Sequence, residues 1–471
     1  MTISLEMVTF LLVSILSVVA LVRAVSRGLV VESSIAWVLA IVAFPGIGAI
    51  LFILLATPAV GHTRRLKVSR REAARGSFDG HQPGVPLTPD PHGIASLAAR
   101  VTGLHTMPGN EVLLMVEDLQ AFEAIESALE SAEKTIWSEY YLVRNDETGR
   151  RFLDCLARKA RQGVEVRLIY DAVGSRGIDP ERLKSIEDAG GFVSAFLPLN
   201  PFSRRWSLHL RNHRKLVIID GQTAFTGGMN VGDEYSGRGR ASGRLHYRDT
   251  HLELRGPAVA DLEQVFVEDW AFATDEIVEI RHALPAPRGA ADVTIIPSGP
   301  DQAINASGML YFALITAARQ RVYLTCPYFL PDQSTVTALT SAALRGVDVR
   351  IMLPLKCDVP LVGPAARAYY ASLVNAGVRI FEYRPSMHHA KTVAIDGTWA
   401  IVGSANVDFR SFRLNFELSA LVRDPEFVGL LETAFLEDQV SSREISHEEL
   451  HNLSLLDRIL QGTARLLSPI L

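Results

Sequence analysis

The hydrophobic pattern divides the chain into an apolar N-terminal stretch and a long region in which strands and helices alternate. Residues 7–22 form a mostly apolar run that ends at Arg23, and residues 35–55 form a second run without a charged residue. At about 1.5 Å per helical residue, the second run reaches the roughly 30 Å of hydrocarbon that a spanning helix crosses, whereas the first is slightly short. The pattern predicts a two-helix transmembrane hairpin over residues 1–60.

Three other interpretations of the N-terminus are a single span, a first segment lying in the interface, and a cleaved signal peptide. The signal peptide is disfavoured because no Lys or Arg precedes the first run and no small-x-small cleavage site follows it. Arg23 and Arg27 lie between the runs, and a larger basic cluster follows the second run, so that both termini and the downstream region are expected in the cytoplasm. The cluster is expected either to lie over anionic headgroups or only to fix the topology; it comprises Arg64, Arg65, Lys67, Arg70, Arg71 and Arg75.

Beyond a basic segment and linker at 61–96, in which residues 76–93 are rich in Gly and Pro, the pattern is that of an α/β protein. Helix-like segments precede apolar, β-branched runs, as expected of buried strands entered from crossover helices. The two clearest runs are GVEVRLIYD at 163–171 and GVDVRIMLP at 346–354. Segments 215–228 and 391–404 are each centred on Asp-Gly and predict hairpins.

The second half of this region repeats the first in order. Tyr140 aligns with Tyr328, QGVEVRLI at 162–169 with RGVDVRIM at 345–352, HRKLVIIDGQTAFTGGMN at 213–230 with HAKTVAIDGTWAIVGSAN at 389–406, and Asp249 with Glu417. The offsets decrease from 188 to 183, 176 and 168, which is typical of a duplication with deletions in the second copy.

The expected fold is therefore α/β, with two pseudo-symmetric lobes whose mixed or parallel sheets are flanked by helices. We place the first lobe at 97–285 and the second at 286–440. Residues 441–471 predict an amphipathic C-terminal helix that packs on the second lobe or lies on the bilayer.

Composition excludes several classes of protein. The 471 residues are 48% hydrophobic and 21% charged, with a net charge of −5, which excludes a disordered chain and argues against general nucleic-acid binding. Cys155, Cys326 and Cys357 are isolated, so neither a disulfide framework nor a cysteine zinc site is indicated.

The repeated stretch supplies the candidate chemistry. Because alternate side chains of a strand share a face, His213 and Lys215 point one way, as do His389 and Lys391. Asp220 and Asp396 belong to the same motif but open the Asp-Gly turns, so we expect them to support the turn more than to act as acids or bases. The strand ends supply N–H groups and amides for an anionic oxygen; these candidates are Gly227, Gly228, Asn230, Gly403, Ser404 and Asn406.

Two imidazoles, two lysines and two asparagines suit a phosphodiester. One His can attack phosphorus while the other protonates the departing alcohol, and the cations and amides stabilise the developing charge. This chemistry needs neither metal nor cofactor. His209 lies four residues before His213, but in a strand the two do not share a helical face, and no carboxylate or Cys completes a zinc ligand set at the usual spacing.

The doubled motif H-x-K-x4-D-x6-G-[GS]-x-N resembles the phospholipase D superfamily over about residues 110–437. The segments RNHRKLVIIDG, FTGGMNVGDEY, PYFLPD and VDFRSFRLNFE, together with the apolar N-terminus, resemble the bacterial cardiolipin synthases of that superfamily. The resemblance implies a phosphohistidine intermediate on His213, with His389 as acid and then base. It also implies that Glu417 orients His213, that Asp249 orients His389, and that the motif lysines and asparagines hold the phosphate.

The reaction implied by the resemblance joins two phosphatidylglycerol molecules into cardiolipin and releases glycerol, in a multi-pass protein of the bacterial cytoplasmic membrane surrounded by anionic lipids. Within the same chemistry, another phosphatidyltransferase and a hydrolytic phospholipase D are alternatives. A nuclease is disfavoured by the apolar N-terminus and acidic net charge. A non-enzymatic membrane scaffold is disfavoured by two intact motifs.

Two loops have open interpretations. Residues 199–211, LNPFSRRWSLHLR, either dip into the membrane interface or form an ordinary covering loop. Residues 236–248, SGRGRASGRLHYR, either contact headgroup phosphates or form a solvated loop.

Overall fold

A computed structural model describes residues 5–26, 31–53, 60–75, 90–200, 209–238, 246–302, 304–466 and 468. Most of the linker predicted at 76–93, and the central parts of the loops at 199–211 and 236–248, lie outside the described residues.

The N-terminal apolar region forms helices α1 (Leu5–Ser26), α2 (Val31–Ala43) and α3 (Ile47–Leu51). Within the described part of the chain, Met7–Ser26 is the one helical segment long and apolar enough to cross a membrane. The prediction of one continuous second helix over 35–55 is wrong. Pro45 lacks an N–H, and Gly46 has φ 82°, so the helix breaks between α2 and α3. The Gly46 N–H donates to Ser17 Oγ of α1 at 3.1 Å.

The globular region contains one mixed sheet that runs through both halves of the chain. Its strands follow the order β18, β13, β12, β11, β15, β16, β17, β10, β1, β9, β7, β6, β2, β3, β4, with β5 beside β17, and β8 and β14 pair separately. Their bounds are β1 (Met107–Met115), β2 (Thr135–Tyr140), β3 (Glu165–Asp171), β4 (Phe192–Phe196), β5 (Arg211–Asn212), β6 (Lys215–Ile219), β7 (Thr223–Gly227), β8 (Tyr247–Arg248), β9 (His251–Arg255), β10 (Ala291–Ser298), β11 (Arg321–Thr325), β12 (Asp348–Pro354), β13 (Arg379–Tyr383), β14 (Met387–His388), β15 (Thr392–Ile395), β16 (Trp399–Gly403), β17 (Asn415–Arg423) and β18 (Ser442–Glu444).

Helices accompany the sheet through both halves of the chain. They are α4 (Val60–Arg75), α5 (Ile94–Thr102), α6 (Asp118–Ser131), α7 (Glu147–Arg161), α8 (Pro180–Asp188), α9 (Asp233–Ser236), α10 (Ala258–Thr274), α11 (Ala306–Ala317), α12 (Gln333–Leu344), α13 (Val362–Asn375), α14 (Phe409–Arg413), α15 (Pro425–Val440), α16 (His447–His451) and α17 (Leu455–Leu466).

The strand pairings confirm the predicted mixed sheet and both hairpins. Strands β2, β3 and β4 are mutually parallel, as are β11, β12 and β13, and each step between them passes through a helix. The hairpins β6–β7 and β15–β16 turn at Asp220 and Asp396, which adopt φ 52° and 53°. Outward from the central antiparallel pair β1–β10, both halves repeat the same succession of strands.

One point of the internal alignment is corrected by the structure. The equivalent bridges Val143 with Val231 and Phe329 with Val407 set an offset of 186 between the halves in this region, because 329 less 143 is 186. Tyr140 and Tyr328, aligned at an offset of 188, are therefore not equivalent. Tyr140 lies in the core, whereas Tyr328 lines a pocket.

The core also crosses the boundary expected between the halves. Helix α5 precedes the first strand, yet Ile94, Ala95 and Ala98 pack in the cluster of the second half with Leu310 and Leu314 of α11. The long helix α10 is buried along most of its length in a cluster that contains side chains from β9, β10 and β17.

Three side chains of the basic cluster after the apolar helices form ion pairs with carboxylates of the globular region. In α4, Lys67 is buried and pairs with Asp269, while Arg70 and Arg71 pair with Asp275 and Asp301 at 2.7 and 3.2 Å. The expectation that the cluster lies over anionic headgroups is therefore wrong for Lys67, because its side chain is buried, whereas Arg70 and Arg71 are 34% and 21% exposed. The side chains of Arg64 and Arg75 lie outside the description.

The C-terminal segment forms α16 and α17 instead of a single helix. Helix α17 packs on α13, and Ala464 is buried beside Leu330, Val362 and Ala365. Its apolar face is otherwise exposed, at Leu455, Leu456, Ile459, Leu460 and Leu466.

Candidate active site

The two histidines of the repeated motif line one pocket of about 280 Å³ between the halves of the chain. Each histidine comes just before the first strand of its hairpin, His213 before β6 and His389 before β15. Because the hairpins occupy matching places in the continuous sheet, their leading ends converge. The pocket is lined by Tyr141, Leu142, Arg144, Arg211, His213, Asn230, Tyr235, Tyr247, Tyr328, Asp358, Val359, His389, Asn406, Asp408, Arg410 and Asn415.

His213 is held by the second half of the chain. Its Nδ1 lies 2.9 Å from Glu417 Oε2 and 3.2 Å from the Ser404 carbonyl oxygen, so Nδ1 carries the proton and Nε2 keeps its lone pair. Burial lowers the pKa of His213, although Glu417 opposes the shift. Burial raises the pKa of Glu417, but His213 and Lys215 outweigh it and hold that pKa below its usual value. The imidazole is thus a neutral nucleophile beside an ionised carboxylate.

His389 is held by the first half in the same way. Its Nδ1 lies 2.7 Å from Asp249 Oδ2. Burial and the neighbouring Lys391 lower the pKa of His389 to about 4, with Asp249 acting in the opposite direction. The ring is enclosed by tyrosines, with Tyr247 stacked at 5.2 Å and Tyr235 edge-on at 5.4 Å between ring centroids.

The two lysines lie beside the histidines of their own motifs. Lys215 Nζ donates to the His213 carbonyl oxygen at 2.6 Å, and Lys391 Nζ donates to that of His389 at 2.5 Å. Burial lowers the pKa of Lys215 to about 7, and burial likewise lowers the pKa of Lys391. Buried cations in this position attract an anionic group, which in turn stabilises their charged form.

Asn230 and Asn406 reach the pocket and have unused hydrogen-bonding capacity. Their Oδ1 atoms are buried and, within the described residues, have no hydrogen-bond partner. Rotation of an amide exchanges Oδ1 and Nδ2, so each position can offer a donor to an oxyanion. Unpaired buried polar atoms are costly and are typical of a site completed by a ligand.

Asp220 and Asp396 do not reach the pocket, which corrects their grouping with the catalytic residues. The Asp220 carboxylate accepts the N–H groups of Glu133, Lys134 and Thr135 at 2.7 to 2.9 Å. Asp396 accepts those of residues 319–321, each at 2.8 Å. Both carboxylates lie at the ends of the hairpins far from the pocket, as expected from the alternation of side chains along a strand.

The glycines and Ser404 do not form the anion cradle expected at the strand ends. The N–H groups of Gly228, Gly403 and Ser404 already donate to the carbonyls of Thr250, Lys391 and Leu418. These residues instead allow close approach of the orienting acids. A Cβ on Gly228 would lie 2.0 Å from Asp249 Oδ1, and Ser404 Oγ donates to Glu417 at 2.5 Å. Gly227 has φ 148°, and a Cβ there would lie 2.7 Å from the Thr250 carbonyl oxygen and 2.8 Å from His251 Cα.

Several residues of the pocket were not predicted. Tyr141, Tyr235, Tyr247 and Tyr328 surround the imidazoles, and Tyr141 lies edge-on to His213 at 4.8 Å. Asp358 accepts hydrogen bonds from the hydroxyls of Tyr328 at 2.8 Å and Tyr247 at 3.1 Å. The only sequence signal for them is position, since Tyr141 and Tyr328 follow the ends of strands adjacent to the motif strands. Among the described residues, no cluster of His, Cys, Asp and Glu suits a metal ion.

Comparison with known proteins places this geometry in a family. The chain matches the family described as "Cardiolipin synthase, PLD-like domain" at residues 125–270 and 311–439. It is 37% identical to the cardiolipin synthase of Geobacillus kaustophilus over 93% of this chain and 89% of the relative. It is 34% identical to cardiolipin synthase A of Pseudomonas fluorescens over 98% of this chain and 97% of the relative.

A solved structure supports the fold. The phosphatidylserine synthase of Haemophilus influenzae superposes with a TM-score of 0.60 at 14% identity, over 80% of this chain and 97% of that chain. The family match covers both motif histidines, and the relatives align over nearly the whole chain. The chain therefore belongs to the cardiolipin synthase family with a phospholipase D-like domain.

Proposed function

We propose that the protein is a phosphatidyltransferase that makes cardiolipin and glycerol from two molecules of phosphatidylglycerol. The observation that carries this function is the pair of imidazoles in one pocket, each oriented by a carboxylate from the opposite half of the chain. Such a pair supplies a nucleophile and a proton donor on two sides of one phosphorus atom. Cardiolipin synthesis is the activity named for the relatives.

In the first step, Nε2 of His213 attacks phosphorus and the bond from phosphorus to the headgroup glycerol oxygen breaks. His389 protonates that oxygen, and glycerol leaves. Lys215, Lys391, Asn230 and Asn406 bind the phosphoryl oxygens as charge develops. Because burial and Lys391 hold the pKa of the free His389 at about 4, the incoming phosphate anion has to raise that pKa before His389 can act as the acid.

In the second step, a hydroxyl of another phosphatidylglycerol attacks the phosphatidyl-His213 adduct. His389, now neutral, accepts the proton of that hydroxyl while the bond between phosphorus and nitrogen breaks. The products are cardiolipin and free His213. The aromatic wall of Tyr235, Tyr247 and Tyr328 around His389 reduces access of water, which favours transfer to a lipid alcohol over hydrolysis.

The experiment is a product analysis with the purified full-length protein in vesicles of labelled phosphatidylglycerol. Cardiolipin and free glycerol in equal amounts are expected. Phosphatidic acid without cardiolipin would instead identify a hydrolytic phospholipase D, and a requirement for a second lipid class would identify another phosphatidyltransferase. The exposed His92, changed to Ala, is a matched control for the motif histidines.

For the membrane region we propose a two-pass hairpin in the bacterial cytoplasmic membrane, with α1 as one pass and the broken pair α2–α3 as the other. Apolar side chains on its outer surface support lipid contact, including Phe10 and Leu39, which are 75% and 62% exposed. We also propose that the exposed apolar face of α17 lies at the surface of the same membrane. Arg23 and Arg27 then lie on the outer side and the catalytic region in the cytoplasm. A Gly28→Cys variant should react with an impermeant maleimide from outside, whereas Lys184→Cys should not.

For the globular region we propose two pseudo-symmetric lobes, at 97–285 and 286–440, followed by the C-terminal segment 441–471. The repeated succession of strands on the two sides of β1 and β10 supports this division. The packing of α5 in the core of the second half implies that the lobes are interdependent. Separately expressed lobes are therefore expected to require co-expression for solubility and activity.

A further inference from the structure

Helix α4 inserts a lysine into the interior of the catalytic region. Lys67 is 1% exposed, and its ammonium group pairs with Asp269 of α10, which is fully buried. The Nζ atom also lies over three phenylalanine rings, at 5.8, 5.5 and 5.9 Å from the centroids of Phe196, Phe272 and Phe416. A lysine that only fixed membrane topology would have no reason to occupy an aromatic cage.

Asp269, the partner of Lys67, also contacts a residue adjacent to the motif histidine of the pocket. Asp269 also pairs with Arg214, the residue between His213 and Lys215. Arg214 Nε donates to the Glu417 carbonyl oxygen at 3.1 Å. The carboxylate of the same Glu417 lies 2.9 Å from His213 Nδ1.

One of the three phenylalanines around Lys67 also contacts His213. The carbonyl oxygen of Phe416 accepts the backbone N–H of His213 at 2.8 Å. Lys67 is therefore linked to His213 in two ways. Asp269 connects it to Arg214, the next residue in the chain, and the Phe416 ring connects it to the residue whose carbonyl oxygen accepts the His213 N–H. Buried charges keep such an arrangement only when they remain paired, because each unpaired ion costs several kcal/mol.

The ion pair that Arg70 of α4 forms differs in kind from that of Lys67. Arg70 and Asp275 are 34% and 49% exposed, as expected of a surface pair that contributes little. Burial and, to a smaller extent, Arg214 lower the pKa of Lys67 to about 7, while carboxylates including Asp301 act in the opposite direction. Lys67 is thus the member of the cluster whose charge depends on the globular region around it.

We propose that Lys67 is a positioning residue for the nucleophile: through Asp269, Arg214 and Phe416 it holds His213 against Glu417, so that the helix following the membrane segment sets the geometry of the catalytic pocket. The inference rests on the proposed role of His213 in phosphatidyl transfer. It gives the membrane-proximal helix a function in turnover in addition to its place after the apolar segment.

The test compares Lys67→Met with Arg70→Met in the full-length protein, assayed in phosphatidylglycerol vesicles. Methionine keeps the length of the side chain and removes its charge. We expect kcat of Lys67→Met to fall at least about tenfold with KM nearly unchanged, because a small displacement of the nucleophile slows the chemical step more than binding. Arg70→Met should retain kcat within about twofold.

A spectroscopic readout separates positioning from loss of fold. With histidines labelled with ¹⁵N, the Nδ1 proton of His213 should give a downfield resonance that shifts or broadens in Lys67→Met and not in Arg70→Met. Equal kcat and an unchanged resonance in both variants would overturn the proposal. If Lys67→Met does not fold, Asp269→Glu takes its place: it keeps both ion pairs but moves them by a methylene group, and an unchanged kcat would overturn the proposal.

Failure of the proposed function is distinguishable from failure of this inference. Wild-type protein that releases no glycerol from phosphatidylglycerol would count against the proposed reaction. The resonance of His213 reports its position without turnover, and it tests the contribution of Lys67 in either case.

Discussion

His213 and Glu417 lie 204 residues apart in the chain and meet at 2.9 Å between Nδ1 and Oε2. Asp249 and His389 form the reciprocal pair at 2.7 Å. Each half therefore contributes one imidazole and the carboxylate that orients the imidazole of the other half. Neither half alone contains a complete acid–base unit.

The first prediction concerns these carboxylates. Glu417→Gln removes the negative charge that raises the pKa of His213 and opposes the effect of burial, so the cationic adduct loses stabilisation. We expect cardiolipin formation to slow by about 10²- to 10⁴-fold. Initial rates in vesicles measure the effect, with Glu444→Gln, which removes a surface pair with Arg379, as the control. Wild-type rates in Glu417→Gln would contradict the orienting role.

The second prediction separates the roles of the histidines. In His389→Ala the nucleophile remains but the leaving glycerol lacks its acid. A phosphatidylglycerol analogue with a good leaving group, such as a nitrophenol, should therefore still label His213 and accumulate as an adduct. His213→Ala should not be labelled. Protein mass spectrometry after short reaction times locates the adduct, and labelling of His389 in His213→Ala would exchange the two assignments.

Much of this arrangement could be predicted from local sequence because it repeats. The Asp-Gly turns and the strand runs depend on neighbouring residues alone, and the structure has them as expected. The side chain of Asp220 lies away from the pocket, as the alternation of side chains along the strand predicts, and binds the N–H groups of residues 133–135.

The remaining features depend on contacts between distant segments. The N–H groups of Gly228 and Ser404 have backbone partners at Thr250, just before β9, and at Leu418 in β17, and sequence spacing does not reveal that they are occupied. Burial of Lys67 depends on Asp269, 202 positions away, and a basic cluster after an apolar run otherwise resembles a membrane-surface motif. The tyrosines around His389 belong to α9, to β8 and to the segment after β11, which only the assembled fold brings together.

The third prediction tests the close packing behind His389. Gly228→Ala places a methyl group where Asp249 Oδ1 lies, at 2.0 Å, so the carboxylate has to move away from His389. We expect a loss of activity of about 10²-fold or more. Gly429→Ala is the matched control, since nothing lies within 4 Å of a Cβ added there. Full activity of Gly228→Ala, measured as cardiolipin formed per folded protein, would show that Asp249 does not orient the imidazole.

The fourth prediction concerns His251, which is fully buried and interacts electrostatically with Asp249 and Lys215. Neither of its ring nitrogens has a hydrogen-bond partner among the described residues. Burial lowers the pKa of His251 to about 4, and Lys215 adds to the effect while Asp249 opposes it. The folded protein thus holds His251 neutral in a pH range where the unfolded chain binds a proton.

Because the folded pKa is the lower one, the contribution to stability is complete above about pH 6.5 and is lost as the pH falls toward about 4. For His251 alone the loss is on the order of 3 kcal/mol. The unfolding midpoint should therefore decrease less between pH 7 and pH 4.5 in His251→Gln than in the wild-type protein. The difference should correspond to about one proton fewer taken up on unfolding. A control variant, His447→Gln at an exposed position, should show the same change of unfolding midpoint with pH as the wild-type protein. An equal change of the unfolding midpoint with pH in wild type and His251→Gln would mean that His251 is protonated in the folded protein and adds a positive charge beside Asp249 and Lys215.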